Sequence, residues 1–150
     1  MLLEPRLVEC TADDPTAAVL FAAQEQEVMR RYGEDDPGPR PAATDPTLLL
    51  YVGDDAVGCV VMAPGDEFGE IKRMFVEEPA RRKGYSRLLL SAAEDLARRE
   101  EITTLRLETG TEQPESMGLY ARSGYAPIPC YGYWKDDPAV RCFEKQLESA

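Results

Sequence analysis

Histidine is missing altogether from this chain of 150 residues. That absence removes the Ser-His-Asp and Cys-His nucleophile systems, a histidine general base and histidine-ligated metals, so no metal site is expected. The cysteines are few: Cys10, Cys59, Cys130 and Cys142 show no C-x-x-C spacing, which argues against zinc sites and thioredoxin-like chemistry. Cys59 lies in the apolar run Val57-Gly58-Cys59-Val60-Val61-Met62 and reads as a buried, inert thiol. No apolar run approaches ~20 residues, and the N-terminus carries neither a basic nor an apolar leader-like stretch, so neither a membrane span nor a signal peptide is expected. Positive charge is also scarce. Seventeen Lys and Arg face 28 Asp and Glu, for a formal charge of −11. Such a field repels phosphate backbones and anionic lipid, which disfavours nucleic-acid and membrane partners. A cytoplasmic, reduced, soluble protein is the expectation, with any chemistry carried by carboxylates, Tyr, Lys, Cys or backbone dipoles.

What is present is ordinary globular composition, 43% hydrophobic and 30% charged, in a length that suits a single domain over residues 1–150. Arg6 to Cys10 alternates as a strand. Asp13 or Asp14 can cap a helix with Pro15 in its first turn, running to about Tyr32 with Val19, Leu20, Ala23 and Val28 toward the core. Gly33 stops it. The stretch Gly33 to Pro46 holds Pro37, Pro39, Pro41 and Pro46 without any period and reads as a loop, functional or disordered, with at most one short helical turn. Strands Thr47–Val52 and Ala56–Met62 flank the hairpin signal Gly53-Asp54-Asp55, and Glu70–Val76 is a fourth strand. Gly84 to Glu100 is the clearest helix, with Tyr85, Leu88, Leu89, Ala92 and Leu96 opposite Arg87, Glu94, Asp95 and Arg98. Leu105–Thr109 is a strand, Pro114 opens a short helix ending before Gly124, and Tyr125–Cys130 and Cys142–Leu147 are strands. This order predicts a mixed α/β sheet.

The stretch between the fourth strand and the long helix carries the chemistry: Val76-Glu77-Glu78-Pro79-Ala80-Arg81-Arg82-Lys83-Gly84-Tyr85-Ser86-Arg87. A strand ends, a basic turn follows, and a glycine opens a helix. Free backbone N–H groups and the positive end of the helix dipole there make an anion site. Gly84 allows close approach of a ligand to the backbone. Arg81, Arg82, Lys83 and Arg87 are the densest basic cluster in an acidic chain, as a bound pyrophosphate requires. The plainer reading is a helix start with solvated basic side chains.

The same stretch resembles the acyl-CoA signature [Q/R]-x-x-G-x-[G/A] of the GNAT superfamily of N-acetyltransferases, with Arg81, Gly84 and Ser86 at the three fixed positions. Ser86 departs from the Gly or Ala of the pattern. Met74-Phe75-Val76 before it, Pro79 within it, and the later Leu119-Tyr120-Ala121-Arg122-Ser123-Gly124-Tyr125, similar to the family's L-Y-x-x-x-G-[F/Y], extend the resemblance over about the whole chain. It implies a GNAT-like, mostly antiparallel sheet of about seven strands flanked by helices, with the fourth and fifth strands splayed around acetyl-CoA. By the same resemblance, Met74, Phe75 and Val76 would hold the pantetheine arm, the turn from Arg82 to Ser86 the pyrophosphate, and a backbone N–H near Phe75 the thioester carbonyl. Gln113 stands where members often carry an Asn that contacts pantetheine.

Direct attack by an acceptor amine would then need one group to take a proton and another to give one to the leaving thiolate. The resemblance assigns the second task to Tyr120 and makes Glu70 a candidate for the first, with Glu108 or a water relay as rivals. A half-buried, packed Tyr120 and a Glu70–Lys72 surface pair are the structural alternatives. The expected acceptor is a small-molecule amine, enclosed between the Gly33–Pro46 loop and the aromatic run Tyr131-Gly132-Tyr133-Trp134. A non-catalytic acetyl-CoA-binding regulatory module and a protein N-acetyltransferase are the alternative functions, and an interaction domain using the aromatic run is more distant. A homodimer is compatible with the resemblance, but no residue decides it.

Overall fold

The computed structural model describes residues 3–148. The elements follow the predicted order: β1 (Pro5–Thr11), α1 (Pro15–Tyr32), β2 (Pro46–Val52), β3 (Asp55–Ala63), β4 (Gly69–Val76), a 3-10 turn (Glu78–Ala80), α2 (Tyr85–Arg99), β5 (Thr104–Gly110), α3 (Pro114–Arg122), β6 (Ala126–Ile128) and β7 (Val140–Gln146). The strands form one seven-stranded sheet in the order β1-β2-β3-β4-β5-β7-β6. Every pairing is antiparallel except β4 with β5.

The central strands are apolar on both faces because helices cover both. Leu48, Leu50, Val60, Met62 and Ile71 pack with Leu89, Leu90, Ala93 and Ala97 of α2. Leu49, Cys59 and Phe75 point the other way, toward Ala17 and Leu20 of α1. Local chemistry sets the helix ends: Asp14 Oδ1 accepts from the N–H groups of Thr16 and Ala17 at 2.8 and 3.2 Å, and Gly33 closes α1 in the left-handed region at φ 66°. Among the described residues no helix is long and apolar enough to cross a membrane.

Several expectations are corrected. Val19 is 69% exposed and Leu88 is 42% exposed, so the buried stripe of each helix lies round from where spacing alone put it. Glu94, expected on the solvated face, is 7% exposed. It is tolerated there because Tyr125 Oη donates to it at 2.8 Å and Lys145 Nζ at 3.1 Å. The strand expected over Tyr125–Cys130 shrinks to Ala126–Ile128 at the sheet edge, since Pro127 and Pro129 supply no N–H for a ladder. The loop between α1 and β2 contains no helical turn. Cys130 and Cys142 are joined as a disulfide with Cα atoms 5.2 Å apart, so the reading of all four cysteines as reduced thiols is corrected for this pair. Cys10 and Cys59 are free, and Cys59 is buried as expected.

Candidate functional site

The site begins where the parallel pair comes apart. β4 and β5 are in register only from Gly69–Ile71 against Leu105–Leu107, yet β4 continues to Val76 and β5 to Gly110. Beyond Ile71 that edge of β4 has no strand partner. On its other edge, the register against β3 slips between Cys59 and Val61, and Arg73 opposite the slip takes φ 56°. A non-glycine residue in that region costs roughly 1–2 kcal/mol and needs surrounding structure to hold it. Arg73 Nη2 donates to Glu25 Oε2 of α1 at 3.0 Å, and Cys59 Sγ donates to the Arg73 carbonyl at 3.2 Å. This bulge divides β4 between two cavities.

The first is a cleft of about 620 Å³ between the end of β4, the basic turn and α3. Of the residues expected to bind the cofactor, Met74, Phe75, Val76, Arg81, Arg82, Gly84, Tyr85, Ser86, Arg87 and Gln113 all line it. Lys83 does not; it lines a neighbouring depression with Pro79 and Ala80. Arg82 and Gly84 take φ 67° and 82°, and the N–H groups of residues 82–87 receive no acceptor from the described chain. Space above Gly84 is open, with nothing within 4 Å of where a Cβ would stand. Unpaired amides at the start of a 15-residue helix, basic side chains and open space together fit the pyrophosphate of acetyl-CoA. Arg81 has a different task from its neighbours. Its Nε donates to the Val76 carbonyl at 2.7 Å and its Nη2 to both Glu27 oxygens at 2.8 and 3.0 Å, which braces the turn against β4 and α1.

The second cavity, of about 330 Å³, lies alongside the other half of β4. Glu70, Lys72 and Arg73 line it from β4, and Glu108 and Thr109 from β5. Gln24, Val28 and Gln113 line both cavities, so the two adjoin. Gln113 Oε1 accepts from Tyr32 Oη at 3.1 Å. The two expected flanking loops close over the second cavity: Tyr133 Oη donates to Asp36 at 2.8 Å, and the Trp134 indole lies so close to Gly38 that a Cβ there would be 2.8 Å from its Nε1. Gln24 Oε1, Arg73 Nε, Glu108 Oε2 and Thr109 Oγ1 are buried without a hydrogen-bond partner, and all four residues line this one cavity. Burial, and then the nearby Glu70 charge, push the Glu108 carboxyl above its usual range, with Lys72 opposing.

Tyr120 lines neither cavity. It is buried, with its ring edge-on to Tyr125 at 5.8 Å and tilted against Phe143 at 6.4 Å. Burial alone pushes its phenol well above the ordinary value, so it is neutral at physiological pH. Glu70 makes no ion pair with Lys72; its Oε2 accepts from Tyr131 Oη at 3.2 Å. Sequence reasoning missed this contact, the Arg73–Glu25 pair and the orphaned Glu108 oxygen. The first was foreshadowed by the aromatic run at Tyr131, whereas nothing in the spacing of Glu25 and Arg73 announces a contact across 48 positions.

Comparison with known proteins agrees with this architecture. Residues 10–125 match the model of the acetyltransferase (GNAT) family. An IAA acetyltransferase of Azospirillum brasilense is 40% identical over 93 residues, a match spanning 61% of this chain and 61% of that relative's length. Among solved structures, one described as an acyl-CoA N-acyltransferase from Klebsiella pneumoniae is 29% identical over 96% of this chain and 98% of that one, with a TM-score of 0.82. A GNAT acetyltransferase from Elizabethkingia anophelis with acetyl-CoA bound shares the fold at 19% identity, covering 95% of this chain and 98% of that one, with a TM-score of 0.73. With the splayed strands, the basic turn and more than half of the chain matched, this protein belongs to the GNAT acetyltransferase family.

Proposed function

We propose that the chain is an acetyl-CoA-dependent N-acetyltransferase whose acceptor is a small, cationic amine. The carrying observation is the pair of adjoining cavities on either side of the β4 bulge: one fitted to a pyrophosphate-bearing arm, the other lined by carboxylates. Bound acetyl-CoA supplies an acetyl thioester for attack by the amine. The amides of residues 82–87, with Arg82 and Arg87, hold the phosphates, and the open edge of β4 from Met74 to Val76 orients the arm. Glu70 takes the ammonium proton, directly or through one water, while Glu108 beside it favours a cation over a neutral or acidic ligand. Tyr120, neutral throughout the working range, is the donor assigned to the leaving thiolate.

The contacts of Asp36 with Tyr133 and of Gly38 with Trp134 support a small acceptor over a polypeptide, because they join two loops across the cavity and leave no continuous groove for an extended chain. A panel of free amines and one folded protein, each incubated with acetyl-CoA and read by product mass, tests the reading. Turnover of small amines is expected. Site-selective labelling of the protein with no turnover of any small amine would overturn the choice of acceptor.

A further inference from the structure

The Tyr131 hydroxyl is held from three sides and aimed at one carboxylate. Its ring meets Phe68 edge-on at 5.3 Å, and the Arg106 guanidinium lies 5.2 Å from its centroid. The disulfide from the adjacent Cys130 to Cys142 ties the backbone to β7, next to β5. Arg106 is itself anchored, with Nε donating to Glu144 at 2.7 Å. We propose that Tyr131 is a positioning residue for acetyl transfer: by donating to Glu70 Oε2 at 3.2 Å it holds that carboxylate in the orientation that accepts the amine's proton. This rests on the reading of Glu70 as the base.

Charges of both signs surround Glu70. Burial, and then the Glu70 charge, raise the titration of Glu108 on β5, so the two carboxylates lie close enough to repel one another. Lys72 on β4 opposes that shift of Glu108, and Arg106 on β5 is the register partner of Glu70. A fixed hydroxyl adds a directional hydrogen bond to the charged form, which mobile cations do not. Tyr131 can keep this role over the whole working range, since burial and the two nearby carboxylates push its own phenol upward.

The test compares Tyr131→Phe, Glu70→Gln and the parent chain. In protein labelled with 13C at Glu side-chain carboxyls, Glu70→Gln identifies the Glu70 resonance by its loss. Tyr131→Phe should move the midpoint of that resonance up by about one pH unit, since the charged carboxylate loses a hydrogen bond that stabilises it. The pH profile of kcat/KM is read with acetyl-CoA and the fastest of benzylamine, 1,5-diaminopentane and lysine methyl ester. Its acidic limb should vanish in Glu70→Gln and move up with the resonance in Tyr131→Phe, an about tenfold loss on the acid side. An acetyl-CoA-dependent melting shift in Tyr131→Phe equal to the parent's shows that the fold is retained. An unmoved resonance in Tyr131→Phe overturns the positioning role. A limb that survives Glu70→Gln overturns the reading of Glu70 as base instead.

Discussion

Tyr120 combines two demands that rarely meet in one side chain. Its ring is core, packed on Tyr125 and Phe143, while the proposed function asks its hydroxyl to deliver a proton. Tyr120→Phe should therefore leave the melting temperature nearly unchanged while lowering kcat by about 10²–10⁴, the usual contribution of an acid-base group; steady-state rates and a melting curve on the same sample check this. Glu108 shows the reverse balance. Its carboxyl titrates above the unfolded value, so the native state binds the extra proton between the two values, and stability falls as pH rises through that window. At neutral pH the penalty is fully present. Glu108→Gln removes it and should raise the melting temperature by about 1–3 °C at pH 7, with the gain disappearing below the usual carboxylate range. A melting series from pH 3 to pH 8 reads both signs.

At the level of elements, one feature sets the start of α2 and another ties α2 to the far edge of the sheet. The start of α2 depends on Gly84, whose φ of 82° and open surroundings suit glycine alone. Gly84→Val should cost roughly 1–2 kcal/mol in backbone strain and also abolish the melting shift caused by acetyl-CoA, because the side chain would fill the space above the amides. Calorimetric titration of the folded variant separates lost binding from lost stability. Away from the cavities, Glu94 of α2 joins Tyr125, which precedes β6, and Lys145 of β7. Glu94→Ala leaves the hydroxyl and the ammonium without their shared acceptor and should destabilise the fold by about 2–4 kcal/mol in urea denaturation, with Glu94→Gln losing less.

For the whole molecule, the governing feature is an acidic field interrupted by one basic turn. The formal charge is −11, yet Arg82, Gly84, Ser86 and Arg87 line a cleft fitted to an anion, and carboxylates line the adjoining cavity. The two substrates of the proposed reaction are thus drawn to different mouths by charges of opposite sign. Raising the salt concentration from about 0.05 M to 0.5 M should raise KM for a cationic acceptor severalfold while changing kcat little, since screening acts on encounter and not on the proton transfers. A neutral amine of similar size should lack that dependence.

The order of strands and helices, the caps at Asp14 and Gly33, and the basic turn ending in Gly84 were all legible in the sequence, because each depends on residues within a few positions of one another. So was the grouping around one cleft of ten residues expected to meet the cofactor, since nine lie between Met74 and Arg87 and only Gln113 comes from farther along the chain. Which side of a helix is buried was legible only coarsely. Val19 and Leu88 turned outward, and Glu94 turned inward because neighbours distant in sequence, Tyr125 and Lys145, satisfy its charge. The flanking loops of the second cavity were anticipated, but the side-chain pairings around it belong to tertiary structure. Glu25 meets Arg73, Tyr131 meets Glu70 and Cys130 meets Cys142 through packing of separate elements, and no local pattern encodes pairings that the chain makes only once the sheet has closed.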